Sequence, residues 1–464
     1  MSKTVSSHTA RERVAMLLDQ GSFVETNSLM ADAGVITGFG TVEDRPVYVF
    51  AQDASVKGGA MGKAQAAKIV KILDLAVKTG APVVALCDST GVRLEEGAAA
   101  MNGYAQVYAR MAKMSGVCPM ISVIVGQAIG SAALISQLCD ISIMAEAGGS
   151  MSVYGAQVIS AVTGKTVTDE TLGGAKAVAA QGGVSLTAAD EEAAIGLTAE
   201  IIGLLPSNNT EDAPVVDLDD INRLLPKLDA ADCAGILAQV ADLGKVTELN
   251  GEYGKELKTA LARIGGYTVG IVASDANVDG GSLTPAGCAK AARFIRLCDC
   301  YSIPVVSLIN STGVAVPAAC DQAKAMTAVS ELLYAYAGAT TAKISVITGN
   351  AIGQAYVAMA GQDIADVTYA WNGAVISALT PAAAVQVLYT DDLKADKKPA
   401  LESRADLEKK FAEEVADGKA AAAQGMIDAV IDAQDTRKMI VAAIEMMAAK
   451  REPALPKKHG NQPM

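Results

Sequence analysis

Two glycine-containing phrases carry the clearest chemical signal in the sequence. Residues 122–132 read SVIVGQAIGSA, and residues 345–355 read SVITGNAIGQA. Each phrase begins as an apolar strand and ends where a helix is expected to begin. Glycine at such a junction lets the first N–H groups of the helix point outward, and the helix dipole adds a partial positive charge. We therefore expect an oxyanion hole at each junction, where each donor contributes about 3–4 kcal/mol. We call these junctions the glycine turns: Gly130-Ser131 in the first phrase and Gly353-Gln354-Ala355 in the second.

A second pair of matched turns follows a neighbouring strand. The segments CDSTGVR and INSTGV share the letters STG, and we call them the STG loops: Ser89-Thr90-Gly91 is the first and Ser311-Thr312-Gly313 the second. In α/β sheets, ligands bind beyond the carboxyl ends of the strands, where such turns lie. Glycine in a single turn could merely permit close packing of a helix on the sheet. Two matched turns in each of two copies favour a binding role instead.

Histidine is almost missing from the sequence. The chain contains two histidines, His8 and His459, and both lie close to a terminus. A Ser-His-Asp or Cys-His nucleophile system therefore has no base in either core. No His/Cys spacing suits zinc, and we expect no metal site in this chain. The chemistry must depend on backbone dipoles, on carboxylates, or on a base that a cofactor brings.

The repetition extends well beyond the glycine turns. Asp19 in LLDQGSFVE corresponds to Asp242 in VADLGKVTE, an offset of 223 residues (242 − 19). Gly58-Gly59 corresponds to Gly280-Gly281, an offset of 222 (280 − 58). Landmarks in one order at a nearly constant offset indicate a duplicated domain, since solenoid repeats are only about 20–50 residues long. We expect an N-terminal domain at 1–210, a linker at 211–231, and a C-terminal domain with a helical tail at 232–464.

Each copy follows the same order of predicted elements. A hairpin (GVITGFGTVEDRPVYVFAQD in the first copy) leads through the Gly-Gly pair to an amphipathic helix and then to the strand PVVALCD. After the STG loop come a second helix, the strand MISVIV, the glycine turn and another helix. Strands separated by helices imply βαβ crossovers and a mainly parallel sheet, hence an α/β fold. Beyond Ala400 the tail predicts two helices followed by a basic end.

Charge and composition exclude several classes of protein. A net charge of −13 argues against a nucleic-acid partner, and the acidic cluster Asp217, Asp219 and Asp220 is interpreted as solvated surface. Eight cysteines, mostly within apolar runs, are typical of a reduced cytoplasmic protein. Cys298 and Cys300 are read as the end of a buried helix rather than a metal or redox pair.

Two segments could be mistaken for a membrane span or a signal peptide, and both are interpreted as parts of the folded domain. Residues 114–139 carry no charge, but they contain Pro119 and several Gly and Ser residues, so a strand, turn and helix describe them better than a membrane span. The N-terminal stretch predicts an amphipathic helix with Thr9 as its N-cap rather than a signal peptide.

Several stretches resemble a known enzyme family. They include ARERVAMLLDQGSFVE, GVITGFGTVEDRPVYVFAQDASVKGGAMG, AARFIRLCDCYSIPVVSLIN, AYVAMAGQDIADVTYAW and the terminal KREPALPKKHGN. With these motifs the sequence is similar to the carboxyltransferase subunits of biotin-dependent acyl-CoA carboxylases and decarboxylases, such as propionyl-CoA carboxylase beta and methylmalonyl-CoA decarboxylase alpha. The resemblance covers nearly the whole chain.

The resemblance implies a fold, an assembly and a reaction. It implies two tandem domains of the ClpP/crotonase fold, built from duplicated ββα units, and a homohexamer with sites shared between subunits. Carboxylated biotin releases CO2 and its ureido group removes the α-proton of a short-chain acyl-CoA, after which the thioester enolate captures CO2; decarboxylases run this in reverse. Biotin belongs to a partner biotin carboxyl carrier protein. Either a membrane sodium-pump decarboxylase subunit or a biotin carboxylase subunit completes the complex, so the chain is cytoplasmic or is held at a membrane by partner subunits.

The resemblance also assigns roles to individual positions. Gly130-Ser131 matches the donor pair near biotin, and Gln354-Ala355, after Gly353, matches the pair near the acyl thioester. The positions expected to bind the CoA ester are Gly58, Gly59, Ser89, Thr90, Gly91, Arg93 and Val357. The positions expected to bind biotin are Thr312, Gly313 and Val314. Val357 is expected one turn inward along the helix, where an apolar wall favours a short acyl chain.

The chain departs from the family pattern at the turns themselves. The family commonly has Gly-Gly at positions 130–131 and 353–354, and SGGAR where this chain has STGVR. Two other readings stay open. A crotonase-type hydratase or isomerase would use carboxylates such as Glu95, Glu96 or Glu146, and a scaffold subunit would hold its partners without turnover. The compact chain favours the decarboxylase direction with a methylmalonyl- or malonyl-CoA type substrate.

Overall fold

The computed structural model describes residues 8–217, 219–316, 321–389, 400–452, 456 and 458–463. The chain forms two compact units, Met1–Pro214 and Val215–Met464, which are described separately. The division falls within the expected linker, although Leu225 of that segment is buried in the core of the second unit. The predicted domain limits of 1–210 and 232–464 stay a prediction.

The first unit alternates strands with helices along the chain. Its helices are α1 (Ala10–Leu17), α2 (Lys63–Thr79), α3 (Ala98–Met114), α4 (Ser131–Leu138), α5 (Ala156–Thr163), α6 (Asp169–Gly173), α7 (Ala175–Ala179) and α8 (Glu191–Leu204). Its strands are β1 (Val24–Thr26), β2 (Val35–Val42), β3 (Arg45–Gln52), β4 (Val83–Ser89), β5 (Met120–Ile129), β6 (Ile141–Ala145), β7 (Ser150–Ser152) and β8 (Leu186–Ala188).

The second unit repeats this sequence of elements. Its helices are α9 (Cys233–Val240), α10 (Pro285–Cys300), α11 (Gln322–Gly338), α12 (Gln354–Met359), α13 (Pro381–Leu388), α14 (Ala400–Glu414), α15 (Gly418–Ala423) and α16 (Thr436–Met447). Its strands are β9 (Val246–Leu249), β10 (Leu257–Ile264), β11 (Tyr267–Ser274), β12 (Val305–Ser311), β13 (Lys343–Ile352), β14 (Val367–Trp371), β15 (Val375–Ser377) and β16 (Ala429–Ile431).

The two sheets have the same topology. The first has the order β1-β2-β3-β4-β5-β6-β8 with β7 beside β5, and the second has β9-β10-β11-β12-β13-β14-β16 with β15 beside β13. In each, the first three strands are antiparallel and the remaining pairs are parallel. The predicted α/β class and the predicted tandem ββα duplication are confirmed.

The repeated aspartates explain part of the sequence repeat. Asp19 accepts hydrogen bonds from the N–H groups of Glu43 (3.1 Å) and Asp44 (3.0 Å) at the β2–β3 turn. Asp242 accepts from Gly265 (2.9 Å) and Gly266 (2.7 Å) at the β10–β11 turn. A carboxylate that satisfies two backbone donors fixes a tight turn, so both hairpins are held by the residue that precedes them.

The helix after each Gly-Gly pair buries one face. Ile69, Ile72, Leu73 and Ala76 of α2 lie in the core of the first unit, at the i, i+3, i+4 spacing of an amphipathic helix. Gly80 ends α2 with a φ of 67°, a left-handed conformation that glycine adopts without strain. The predicted N-cap Thr9 is confirmed, because its side chain accepts from the N–H of Glu12 in a capping box.

Three expectations are corrected by tertiary contacts. The strand after Pro119 does not end at Val125 but continues through Gly126–Ile129. Asp219 is not simply solvated, because its carboxylate binds Arg223 at 2.9 Å and lies 3.7 Å from buried Arg437. The tail is not purely helical, because strand β16 follows α15 and joins the sheet beside β14.

The cysteines form no disulfide among the described residues, and the apolar segments form no membrane-spanning helix there. Of the described cysteines, all are free; Cys300 is exposed and the rest are buried. Across the described parts of the chain, no helix combines the length and the apolar character needed to cross a bilayer.

Candidate functional site

The glycine turn of the first unit is shaped by a side chain on the neighbouring strand. The register between β4 and β5 shifts at Asp88: Cys87 pairs with Ile124, but Ser89 pairs with Ala128. Oδ1 of Asp88 fills the gap by accepting from the N–H of Gln127 at 3.2 Å. A Cβ on Gly126 would overlap this carboxylate, so only glycine fits there.

The second unit repeats this arrangement with an amide. The register between β12 and β13 shifts between Ile309 and Ser311, and Oδ1 of Asn310 accepts from the N–H of Asn350 at 2.9 Å. A Cβ on Gly349 would overlap the Asn310 side chain. The repeated GxAIG phrase therefore has a physical origin, since its first glycine makes room for a strand side chain and its last glycine makes the turn.

The last glycine of each phrase adopts a backbone conformation that other residues avoid. Gly130 has φ 62° and ψ −125°, and Gly353 has φ 53° and ψ −121°. Each donates its own N–H to the following strand segment, Gly130 to the carbonyl of Ser152 and Gly353 to that of Ser377, both at 2.8 Å. The glycine N–H groups themselves are therefore occupied.

The next two N–H groups of each turn are available. They begin helices α4 and α12, where the first N–H groups have no partner within the helix. Within the described residues, no acceptor binds the N–H groups of Ser131, Ala132, Gln354 or Ala355. Each turn thus presents two adjacent backbone donors at the carboxyl end of a central strand, which is the donor set that an oxygen anion needs.

Each STG loop is fastened to the Gly-Gly pair of its own unit. In the first unit, the N–H of Thr90 donates to the carbonyl of Gly58 at 3.0 Å, and the N–H of Met61 donates to that of Gly91 at 2.8 Å. A Cβ on Gly58 would stand 3.0 Å from the Thr90 side chain, and a Cβ on Gly59 would overlap the carbonyl oxygen of Asp88. This explains why two glycines are needed.

The same bonds recur in the second unit. The N–H of Thr312 donates to the carbonyl of Gly280 at 3.1 Å, and the N–H of Leu283 donates to that of Gly313 at 2.8 Å. Val314 forms a bridge with Leu283. Both STG loops are therefore built from the same hydrogen bonds.

Each STG loop also lies against the glycine turn of its unit. A Cβ on Gly91 would be 2.8 Å from the carbonyl oxygen of Ile129, and one on Gly313 would be 3.0 Å from that of Ile352. The predicted positions therefore form two groups. The first unit brings together Gly58, Gly59, Ser89, Thr90, Gly91, Arg93, Gly130 and Ser131; the second brings together Thr312, Gly313, Val314, Gly353, Gln354, Ala355 and Val357.

Arg93 supports the first STG loop from inside the unit. Its side chain is buried and donates to the carbonyls of Asp32 (3.4 Å) and Ala33 (3.4 Å), and it pairs with Glu96 at 3.2 Å. Glu96 also accepts from the N–H of Lys63, which begins α2, at 2.7 Å. Both side chains are thus engaged in positioning the loop.

The other carboxylates considered for acid–base catalysis also have simple partners. Glu95 lies 3.7 Å from Lys57, and Glu146 lies 3.6 Å from Lys176, in both cases at the surface. Like Glu96, they therefore act as surface or structural charges, and no observation favours the hydratase reading.

Val357 does not point inward as expected. It lies on α12 with 42% of its surface exposed, while Ala355 and Ala358 face the core. Its predicted contact with the acyl group stays a prediction.

Two tyrosines were missed from the sequence. The hydroxyl of Tyr104 donates to the carbonyl of Gly91 at 2.9 Å, and that of Tyr108 donates to the carbonyl of Ser131 at 2.7 Å. Burial raises the pKa of Tyr108, and it raises that of Tyr104 more strongly. The signal was available as a pair of tyrosines four residues apart in a helix between the two loops.

Comparison with known proteins identifies the family. The carboxyl transferase domain model matches residues 4–462, which is almost the entire chain. The chain belongs to the carboxyl transferase family.

Three similar proteins are named as decarboxylase, carboxylase or carboxyltransferase subunits. The methylmalonyl-CoA decarboxylase alpha subunit of Veillonella parvula is 39% identical over 98% of this chain and 93% of its own length. The propionyl-CoA carboxylase carboxyltransferase subunit of Haloferax mediterranei is 37% identical with the same coverage of both chains. The methylmalonyl-CoA carboxyltransferase 12S subunit of Propionibacterium freudenreichii is 36% identical over 98% of this chain and 91% of that protein.

A solved structure of the family superposes closely on this chain. It is a transcarboxylase 12S structure, described as a hexamer assembly with methylmalonyl-coenzyme A and methylmalonic acid bound. It is 35% identical, has a TM-score of 0.93, and matches 98% of this chain and 93% of its own chain. The carboxyltransferase fold of this family member is therefore established.

Proposed function

We propose that this chain moves a carboxyl group between biotin on a partner carrier protein and the α-carbon of a short-chain acyl-CoA. Membership of the carboxyl transferase family supports the reaction class. The observation that carries the proposal is the presence of two matched pairs of unoccupied backbone donors, one pair in each unit. A reaction that develops negative charge on two different oxygens needs two such pairs.

The first glycine turn would hold the biotin side of the reaction. The donors are the N–H groups of Ser131 and Ala132, and Gly130 leaves open space in front of them, since a Cβ placed there would have only the carbonyl of Val153 nearby, at 3.6 Å. A ureido carbonyl oxygen fits a pair of adjacent N–H donors, so the residues present suit this group. When bound, carboxylated biotin supplies CO2 and the base for the α-proton. Thr312, Gly313 and Val314 are proposed to contact the same group.

The second glycine turn would hold the thioester oxygen of the acyl-CoA. The N–H groups of Gln354 and Ala355 would donate to that oxygen as it becomes an enolate, which stabilises the transition state more than the ground state. Gly353 supplies the turn that aims both donors. The α-carbon would therefore be activated without a catalytic carboxylate of this chain. This agrees with the structure around Glu96, whose carboxylate already binds Arg93 and the N–H of Lys63.

The first STG loop and the Gly-Gly pair would line the path of the CoA arm. We assign Gly58, Gly59, Ser89, Thr90 and Gly91 to this contact and Arg93 to holding the loop from within. Val357 would meet the acyl group from the exposed face of α12. An apolar side chain there favours hydrogen or short alkyl substituents.

The names of the relatives guide the choice of substrate and partners. The relatives include methylmalonyl-CoA decarboxylase alpha subunits, and the related solved structure holds methylmalonyl-coenzyme A in a hexamer. We propose a methylmalonyl- or malonyl-CoA type substrate, the decarboxylase or transcarboxylase direction, and a homohexamer with sites shared between subunits. A biotin carboxyl carrier protein would deliver biotin, with either a sodium-pump decarboxylase subunit or a biotin carboxylase subunit as a further partner.

One assay separates this proposal from the alternatives. The purified chain is incubated with free biotin and either malonyl-CoA or methylmalonyl-CoA, and acetyl-CoA or propionyl-CoA is measured; crotonyl-CoA is offered in a parallel reaction. Biotin-dependent decarboxylation is the expected result. Hydration of crotonyl-CoA without decarboxylation would establish a crotonase-type enzyme, and neither activity would establish a scaffold subunit; each overturns the proposal.

A further inference from the structure

Asp88 joins the two candidate loops of the first unit. It directly precedes the first STG loop, so its backbone belongs to the strand that carries Ser89. Its Oδ1 accepts from Gln127 on β5, the strand that leads into the first glycine turn. One side chain therefore sets the register that both loops inherit.

A buried cation holds Asp88 in place. Nη1 of Arg13, on α1, lies 2.9 Å from Oδ2 of Asp88, and Nε of Arg13 donates to Glu191 at the start of α8. The exposed fractions are 1% for Arg13, 6% for Asp88 and 6% for Glu191. Buried charges are retained only when they are paired and hydrogen-bonded, and removing one partner is costly. These three residues form what we call the Arg13 cluster.

The second unit has no charge at the corresponding positions. Helix α9 corresponds to α1 at an offset of 223 residues (233 − 10), which places buried Ile236 at the position of Arg13. Asn310 replaces Asp88 and donates through Nδ2 to the carbonyl of Ala230 at 2.8 Å. Helix α16 follows β16 as α8 follows β8, and its first residue is the uncharged Thr436, whereas the first residue of α8 is Glu191. The hydrogen bond that fixes the strand is kept in both units, whereas the ion cluster is confined to the first.

We propose that Asp88 is a positioning residue for the first glycine turn and the first STG loop, and that Arg13 acts through it. The Asp88 carboxylate sets the distance between β4 and β5 where the ladder is interrupted, and so aims the N–H groups of Ser131 and Ala132. This inference rests on the proposed function for its kinetic consequence only. The geometric part can be tested without turnover.

The test compares three variants of the full chain. Asp88→Ala removes the acceptor for the Gln127 N–H, whereas Asp88→Asn keeps an oxygen there, as Asn310 does in the second unit. Asp242→Ala is the matched control, since Asp242 is also buried, pairs with a buried arginine (Arg437, 2.7 Å) and accepts two backbone N–H groups. The Asp242 site lies at a hairpin turn rather than at a glycine turn.

Hydrogen exchange gives the readout that does not depend on activity. In Asp88→Ala we expect faster amide exchange in peptides covering residues 120–138, with a smaller increase in Asp88→Asn, which keeps an oxygen for Gln127 but loses the ion pair with Arg13. In Asp242→Ala we expect faster exchange around residues 257–274 and none of the increase at 120–138. Unchanged exchange at 120–138 in folded Asp88→Ala, or an equal increase in the control, would overturn the proposal.

Kinetics supply the second readout. Displacing a positioned group by about 1 Å lowers a rate about 100-fold, so Asp88→Ala should lose about that factor in kcat while KM for the acyl-CoA changes little. Asp88→Asn should recover only part of the loss, because it restores the acceptor for Gln127 but not the ion pair with Arg13, and Asp242→Ala should retain the wild-type rate once folded. Equal losses in Asp88→Ala and Asp242→Ala would overturn the proposal. An inactive wild type would refute the proposed function and leave the exchange experiment to decide the positioning role.

Discussion

Tyr104 and Tyr108 lie one turn apart on α3, with ring centroids 5.8 Å apart, and their hydroxyls bind the two loops of the first unit. Tyr104 holds the carbonyl of Gly91 in the STG loop, and Tyr108 holds the carbonyl of Ser131 in the glycine turn. One face of one helix therefore fixes the spacing between two backbone segments proposed to contact substrate. The second unit places a buried tyrosine, Tyr336, on Ser307 of β12 instead.

Replacing Tyr108 with Phe removes the bond to the Ser131 carbonyl and leaves the ring packing. A lost hydrogen bond of this kind costs about 1 kcal/mol of stability, and we expect kcat to fall about fivefold as the turn loosens, converting that energy at about 1.36 kcal/mol per factor of ten. Tyr336→Phe is the control, because it removes a buried hydroxyl bond (2.8 Å) away from either turn. Steady-state kinetics and thermal unfolding are measured for both; equal kcat in the two variants contradicts the prediction.

Proline at the first helical position tests the two glycine turns separately. Ser131→Pro and Gln354→Pro each remove the N–H of the first helical residue, and proline is tolerated best at that position. Each should lower turnover by about two to three orders of magnitude. The Gln354 variant should also lose exchange of the acyl-CoA α-proton in the presence of biotin, while the Ser131 variant should lose the biotin-dependent part of turnover and still bind acyl-CoA.

Circular dichroism and the size of the assembly are checked first for these proline variants. If both then show near-wild-type rates, the repeated phrase is inherited architecture rather than two working sites.

Val357 tests the acyl contact. Because 42% of the residue is exposed, Val357→Asp should fold normally and change the order of preference among malonyl-, methylmalonyl- and ethylmalonyl-CoA, with the longest alkyl group losing most. Val77→Asp, at a valine of the first unit with 44% of its surface exposed, is the control. The ratios of kcat/KM for the three esters are compared. An unchanged order in Val357→Asp would place the acyl pocket elsewhere.

Buried lysines make stability depend on pH. Burial lowers the pKa of Lys290 to about 8, and it also lowers the pKa of Lys68, the corresponding residue of the first unit. The unfolded chain keeps the Lys290 proton up to about pH 10.4. Between these values the unfolded state binds more protons, so this group's contribution to the free energy of unfolding rises by up to about 1.4 kcal/mol per pH unit.

Lys290→Met should remove that dependence. The stability of the variant relative to wild type should be greater at pH 7.5 than at pH 9.5, by about 2 kcal/mol. Urea unfolding at both values measures the difference, with exposed Lys176→Met as the control. The same difference at both pH values would contradict the lowered pKa.

The assembly is tested by light scattering. We expect a mass of about six chains, since a homohexamer is proposed and exposed apolar side chains such as Val153, Tyr154 and Val162 remain on the isolated subunit. A monomer at micromolar concentration would contradict both the hexamer and the shared site.

The sequence by itself determined the duplication, the order of elements and the places where strands give way to helices. These follow from local information: apolar periodicity, glycine at positions of positive φ, and Asp or Thr at helix starts. The family resemblance then pointed to Gly130-Ser131 and Gly353-Gln354-Ala355 as donors, and the structure places these residues at helix N-termini as expected. Their role as oxyanion holes stays a prediction.

Only the tertiary structure decided what holds those turns in position. Asp88 meets Gln127 across 39 residues of chain, and it meets Arg13 across 75. No local pattern encodes such pairs, because their energy depends on burial that exists only after the sheet and helices have packed. The outward direction of Val357 was likewise set by which face of a short helix packs on the sheet. In the same way, strand β5 continues to Ile129 because the Asp88 side chain accepts the N–H of Gln127 where the pairing with β4 is interrupted.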